Sequence, residues 1–183
     1  LEELEGIIRL EDVTILLATG TNRGDTADEI REMFGRQVAA SVRIVNHDAF
    51  DDATLTWLGT HGDGVPVWLN SLWAEADVRI TTGLVEPHGF AGFCGGPALV
   101  APGLAGLETV RTLHDTRRTG HPKARRGITY GNPVHDDMRA IAEATGVDFG
   151  LDVVLNRHRR IVGAFGGEAL VMHAAASAVA RRL

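Results

Sequence analysis

VTILLATGTNRGDTADEIREMFG, residues 13 to 35, decides the fold class. Val13 to Ala18 is an unbroken β-branched and aliphatic run, the composition of a strand buried on both faces. Gly20-Thr21-Asn22-Arg23-Gly24 follows as a turn. Thr26 then stands where a helix N-cap belongs, with Glu29 three residues on to complete a capping box and Gly35 as the stop. Strand, turn and capped helix in that order open an α/β domain.

The alternation continues outward. Val42 to Asn46 reads as a second strand, residues 55 to 70 as a β excursion around Gly62-Asp63-Gly64, and Val78 to Thr82 as another buried strand. A glycine-rich segment at 83 to 106 interrupts. LETVRTLHD, 107 to 115, has helical spacing and finishes near His114; a basic loop, a helix at 133 to 145, strands near 149 to 155 and 160 to 165, and a helix after Gly166-Gly167 complete the chain. Upstream, Leu1, Leu4, Ile7 and Ile8 have helical spacing, so the chain is expected to begin inside a helix and to be a piece of a longer protein. The pattern predicts one Rossmann-like, three-layer α/β domain over 1–183, with a mostly parallel sheet and helices on both faces.

At 183 residues with 44% hydrophobic residues, the chain can bury one substantial core. A net charge of −6 argues against nucleic-acid and membrane-surface roles, and the one basic cluster, Lys123, Arg125 and Arg126, is too small to reverse that. No apolar run approaches the ~20 residues that span a bilayer, and the first dozen residues are acidic rather than a leader. The single cysteine, Cys94, excludes an internal disulfide framework. A cytoplasmic protein, compatible with a homo-oligomer, is the expectation.

In open α/β sheets ligands lie beyond the carboxyl ends of strands, so the polar segments 19 to 24, 47 to 52 and 83 to 97 are expected to line one crevice. The first could offer Arg23 to an anion or be an ordinary turn; it is not a dinucleotide fingerprint. In the second, His47 beside Asp48, Asp51 and Asp52 reads as a metal-binding or a solvated loop. The third, EPHGFAGFCGG, carries most information. Its glycines permit close backbone approach to a ligand, and free N–H groups there would make a phosphate nest. His88 at its mouth could take a proton from a substrate hydroxyl, and His114 could offer nitrogen to a borderline metal such as nickel; both could equally be structural. One imidazole binds metal poorly, so a functional His114 implies an organic group supplying the other ligands. Cys94 reads better as a small residue in a crowded loop than as a nucleophile. His61, His121, His135, His158 and His173 have no mutual metal spacing and read as solvated.

ILLATGTNR, the Glu75-Ala76-Asp77 before a strand, PHGFAGFCGG, Ala101-Pro102-Gly103, His114, the HPKAR of residues 121 to 125 and the NPVHDDM of 132 to 138 together resemble the lactate racemase family, in the same order, from about residue 14 onward. PHGFAGFCGG is the most specific element. The resemblance implies the N-terminal domain of a nickel-pincer-nucleotide enzyme that racemises or epimerises a small 2-hydroxy acid by hydride transfer from its α-carbon. His114 matches the family's metal-ligating histidine and His88 one catalytic histidine. Gly89, Phe90, Gly92, Phe93, Cys94, Gly95, Gly96 and Arg23 fall at the cofactor. Two positions depart. Ala98 stands near where the family's cofactor-attaching lysine falls, which implies a noncovalently held nucleotide. Asn22 replaces the second catalytic histidine and can hydrogen-bond a hydroxyl but not act as its base. The family's D-x-T-R-P element and second domain are not in these residues. A noncatalytic nucleotide-binding module, or a nickel-independent enzyme on a phosphorylated substrate, would also accommodate the pattern.

Overall fold

Strand β1 (Thr14–Leu17) pairs in parallel with β2 (Arg43–Asn46), and helix α1 (Ala27–Ser41) makes the crossover. The computed structural model describes residues 7–183, so most of the helix expected at the start of the chain lies outside the described residues; a short 3₁₀ turn at Leu10–Asp12 leads into β1. The expected capping box forms, with Thr26 accepting from the Glu29 N–H and Glu29 accepting from the Thr26 N–H. At Gly35 the φ of +76° breaks helical geometry, and a further helical segment then runs on to Ser41.

β3 (Leu55–His61) and β4 (Val65–Asn70) form an antiparallel hairpin closed by Gly62-Asp63-Gly64, and the short helix α2 (Ser71–Ala74) follows. β5 (Ile80–Leu84) leads to a small hairpin, β6 (Pro87–His88) with β7 (Gly92–Phe93), and then to the helical turn α3 (Pro97–Val100). Helices α4 (Leu107–Leu113), α5 (Thr116–Thr119) and α6 (Pro133–Thr145) precede β8 (Phe149–Leu155), β9 (Ile161–Gly167) and the last helix, α7 (Ala169–Ala180).

The class is mixed α/β, but not one mostly parallel sheet. The strands form four small sheets, and three of the five pairings among the described residues are antiparallel: β3 with β4, β6 with β7 and β8 with β9. Connection length is the reason. Three residues join β3 to β4 and five join β8 to β9, whereas a parallel crossover needs about a dozen. Helices also do not cover both faces of the β5–β8–β9 sheet. α7 packs on one face, while Ile80, Phe149 and Leu151 are exposed on the other.

The main core joins β4, α3, α4 and α6 through Val67, Leu69, Val100, Leu113, Met138 and Ile141. Each such side chain contributes about 1.5–3 kcal/mol on burial. A second cluster, Val85, Phe93, Val154, Ala176 and Ala180, lies under α7. Between these clusters the chain from β6 to α4 is held, and it carries the site. No helix among the described residues is long and apolar enough to cross a membrane.

Candidate functional site

Phe90, at the tip of the β6–β7 hairpin, brings two of the expected residues together. Its ring meets His88 edge-on at 4.6 Å between centroids and His114 edge-on at 5.0 Å. His114 caps the C-terminal end of α4, so the helix that Leu107–Leu113 builds against the core aims it at the hairpin. Burial lowers the proton affinity of His114, and the neighbouring His88 lowers it further. The ring is therefore neutral near pH 7, the form a metal ligand needs. His88 is half-buried, and its Nδ1 accepts the Ala91 N–H at 3.2 Å. In the neutral ring that bond leaves the proton on Nε2, an arrangement that donates; accepting a proton at Nε2 requires the other tautomer and gives up the Ala91 bond.

The backbone position of Phe90 is set by Asn132, which is fully buried. Its Nδ2 donates to Phe90 O at 2.8 Å and Ile128 O at 2.9 Å, while its Oδ1 accepts from Val134 and His135 N–H at the start of α6. The NPVH segment was legible as a helix start; its bond to Phe90 spans 42 residues and has no local signal.

The phosphate-nest expectation for the glycine loop changes. Cys94 N–H donates to Glu86 O at 2.9 Å and Gly96 N–H to Asp152 Oδ2 at 2.8 Å, so neither is free for an anion. A side chain at Gly92 would collide with the Ile128 carbonyl, at Gly95 with Val85 and Asp152, and at Gly96 with the His173 ring. These three glycines thus let protein approach protein. Phe93 is fully buried in the second core cluster, which removes its side chain from ligand contact. Cys94 is half-buried, and burial followed by Glu86 raises its thiol pKa, which suits the inert reading. Only Gly89 in this loop is exposed with open space where a side chain would stand. The part of the hairpin left accessible is therefore its tip, Gly89 and Phe90.

The three expected segments are linked, though not as a single lining. Thr19 Oγ1 donates to His47 O at 2.7 Å, Gly20 N–H to Gly103 O at 2.9 Å, and Gly103 N–H to Ala98 O at 3.0 Å. Asn22 and Arg23 make local bonds instead of meeting His88 or His114. Asn22 Nδ2 donates to Thr19 O, and Arg23 grips both carboxylate oxygens of Glu29, at 2.8 and 2.6 Å. That grip, with the Thr26 N–H, holds the Glu29 carboxyl down at about 2.

His47 is neither solvated nor a metal ligand. It is buried, its Nε2–H donates to Ala105 O at 3.0 Å, and its Nδ1 accepts from Asn70 at 3.2 Å. His135 and His173 also overturn the solvated reading. Both are buried, stacked at 5.7 Å with 25° between planes, directly behind the hairpin. The signal for His173 was present: it falls on the Ala169, Met172, Ala176, Ala180 stripe of α7, at helical spacing. A separate shallow hollow on α4, lined by Asp52, Leu107, Glu108, Arg111, Thr112 and Asp115, shares no residue with the His88–Phe90–His114 cluster.

Among the described residues no three His, Cys, Asp or Glu side chains are placed to hold a metal ion together. The donor set fits a metal that arrives with most of its ligands: one exposed, neutral imidazole at His114, with neither ring nitrogen hydrogen-bonded to a described residue. Ala98, packed against the main core, has no group with which to attach such a cofactor covalently.

A family model described as the lactate racemase N-terminal domain matches residues 1–127. The lactate racemase of Thermoanaerobacterium thermosaccharolyticum is 34% identical over 173 residues, 94% of this chain and 41% of that protein. The lactate racemase of Lactiplantibacillus plantarum is 35% identical over 161 residues, 88% of this chain and 38% of that protein. The structure of the lactate racemase apoprotein from T. thermosaccharolyticum superposes with a TM-score of 0.89 at 34% identity, over 92% of this chain and 40% of that one. A crystal structure of a Thermotoga maritima protein, with a TM-score of 0.75 at 24% identity over 92% of this chain and 45% of that one, shares the fold. The chain spans about two fifths of the length of the curated relatives it matches.

Proposed function

The chain belongs to the lactate racemase N-terminal domain family, and from that premise we propose that it is the cofactor-binding part of a racemase or epimerase of a small 2-hydroxy acid, working with a noncovalently held nickel-pincer nucleotide. The observation that carries this reading is the shared ring of Phe90, which meets both His88 and His114 edge-to-face and so holds them in one cluster. When bound, such a group supplies a hydride acceptor beside a nickel ion whose other ligands it brings itself. His114 contributes the protein's nitrogen to that metal. His88 moves the hydroxyl proton: in its Nδ1–H tautomer, Nε2 accepts the proton, and the return step gives it back. Phe90 packs edge-to-face on both imidazoles, and Gly89 leaves the hairpin tip open to a ligand.

The physical logic is that a hydrogen α to a carboxylate is a poor acid. Oxidation at that carbon avoids removing it as a proton and needs an acceptor and one base. Asn22 supplies no second base. The chain on its own residues therefore supports proton transfer on one side, through His88.

After co-production with enzymes that make the cofactor, the protein is expected to carry nickel in proportion to bound nucleotide. His114→Ala should abolish the nickel, and His88→Ala should keep the nickel while isomerisation of a 2-hydroxy acid is lost. Isomerisation that survives His88→Ala would overturn the assignment of the base.

A second reading is favoured by specific observations. Ala98 offers no attachment, Asn22 no base, and Arg23 is engaged by Glu29, as a noncatalytic nucleotide-binding module would allow. Nickel-free protein that still binds the nucleotide would decide for that module.

A further inference from the structure

We propose that His173 and Asp152 are positioning residues that hold the His88–Phe90 hairpin from behind, through its backbone. The inference rests on the reading that His88 and Phe90 form the working face, and it concerns residues on the far side of that face. His173 is 2% exposed and Asp152 is fully buried, so neither can meet a substrate. Each makes one bond to the hairpin's exit. His173 Nε2 lies 2.9 Å from Cys94 O, and since a carbonyl only accepts, Nε2 carries the proton. Asp152 Oδ2 accepts the Gly96 N–H at 2.8 Å.

The connection to His88 is short. Cys94 N–H closes the base of the hairpin on Glu86 O, two residues before His88, so one residue is gripped from both sides. Gly96 has φ +48° and ψ −119°, a conformation open to glycine, and an added Cβ would lie 2.6 Å from the His173 ring. The turn is therefore shaped around the imidazole. His135 stacks on that imidazole at 5.7 Å, so two buried rings lie together behind the hairpin.

Buried polar groups are normally fully paired, yet Asp152 Oδ1 and His135 Nδ1 have no partner in good hydrogen-bond geometry among the described residues. An apolar packing of the same space would avoid that cost. What the polar groups add is direction: two bonds that fix where the hairpin's backbone leaves the sheet.

Amide exchange in the 183-residue chain tests this. His173→Leu removes the donor and keeps apolar bulk, whereas His173→Gln restores an N–H near the Nε2 position. In the leucine variant, exchange at Cys94 and Gly96 is expected to rise about tenfold, the upper range for one net hydrogen bond. The Gly89 and Phe90 amide resonances should shift, exchange at Ile141 in the main core should not change, and the glutamine variant should return all of these toward wild type. Unchanged exchange in the leucine variant, or leucine and glutamine variants that behave alike, would overturn the proposal, since simple packing would not separate them. If His173→Leu does not fold, Asp152→Asn decides: a neutral acceptor holds Gly96 more weakly, so Gly96 alone should exchange faster, and no increase would overturn the idea. Failure of the chain to take up nickel would count against the function proposed above and would leave these exchange rates as they are.

Discussion

Arg118 and His173 are equally buried, yet the two regions they anchor are built to different standards of completeness. Arg118 is 3% exposed, and its guanidinium donates to Asp137 at 2.6 Å, Asp115 at 2.5 Å, Asp63 O at 2.6 Å and Thr112 O at 3.1 Å, tying α4, α5 and α6 to the β3–β4 turn. Behind the hairpin, by contrast, Asp152 and His135 each leave one polar atom unpaired. Burial, with His173 and Arg139 adding to it, pushes His135 down to about 4, and burial raises Asp152. The scaffold tolerates charge because every charge is answered. The region under the site is polar, burial disfavours the charged forms of His135 and Asp152, and its few bonds point at one backbone turn.

The sharpest way to break this contrast is Arg118→Ala, which leaves Asp137 buried without its partner. A loss of about 3–5 kcal/mol is expected, measured by urea denaturation. Replacing Arg118 and Asp137 together by Met and Leu should recover most of it, and failure to recover would mean the cluster serves more than stability.

Next in size is acid. The folded pKa of His135, about 4, lies below the ordinary histidine value, so between that value and pH 4 the unfolded chain binds more protons. Stability from His135 is thus full above about pH 6.5 and falls by about 3 kcal/mol as pH drops to 4. Asp152, whose folded pKa is raised, works the other way near the bottom of that window. His135→Gln should flatten the slope in pH-dependent denaturation, and an unchanged slope would place the acid sensitivity elsewhere. Gly96→Ala should cost about 1–3 kcal/mol, from a positive φ and contact with the His173 ring. The smallest effect belongs to Arg23→Ala, an exposed pair whose loss should leave the denaturation midpoint where it is. A marked drop in nucleotide affinity for that variant would show that Arg23 leaves Glu29 for the ligand.

Most elements were legible because their signals are local. Thr26 and Glu29 announce α1, Asn132-Pro133 announces α6, whose observed span is Pro133–Thr145, and the 107 to 113 stripe ends with His114 at the cap. Strand direction was misread although the short links after His61 and Leu155 carried it, because alternation of strands and helices suggested crossovers that those links cannot make. In the candidate site, type and position leave His88 and His114 open between structural and functional roles; the family resemblance singles them out, and the structure brings both to the Phe90 ring. The glycines have a structural reason that no local pattern carries: Gly92, Gly95 and Gly96 admit Ile128, Asp152 and His173. Asp152 was invisible for a different reason, since its bond to Gly96 spans 56 residues and a lone Asp in a strand carries no pattern.

Phe90 gives the candidate site a peculiarity of inheritance. One ring is edge-on to both imidazoles, so a substitution at position 90 reaches the proton carrier and the metal ligand in the same event. Selection would meet His88 and His114 there as a single trait, and compensation for a change at 90 would have to arise on the hairpin and at the end of α4 together.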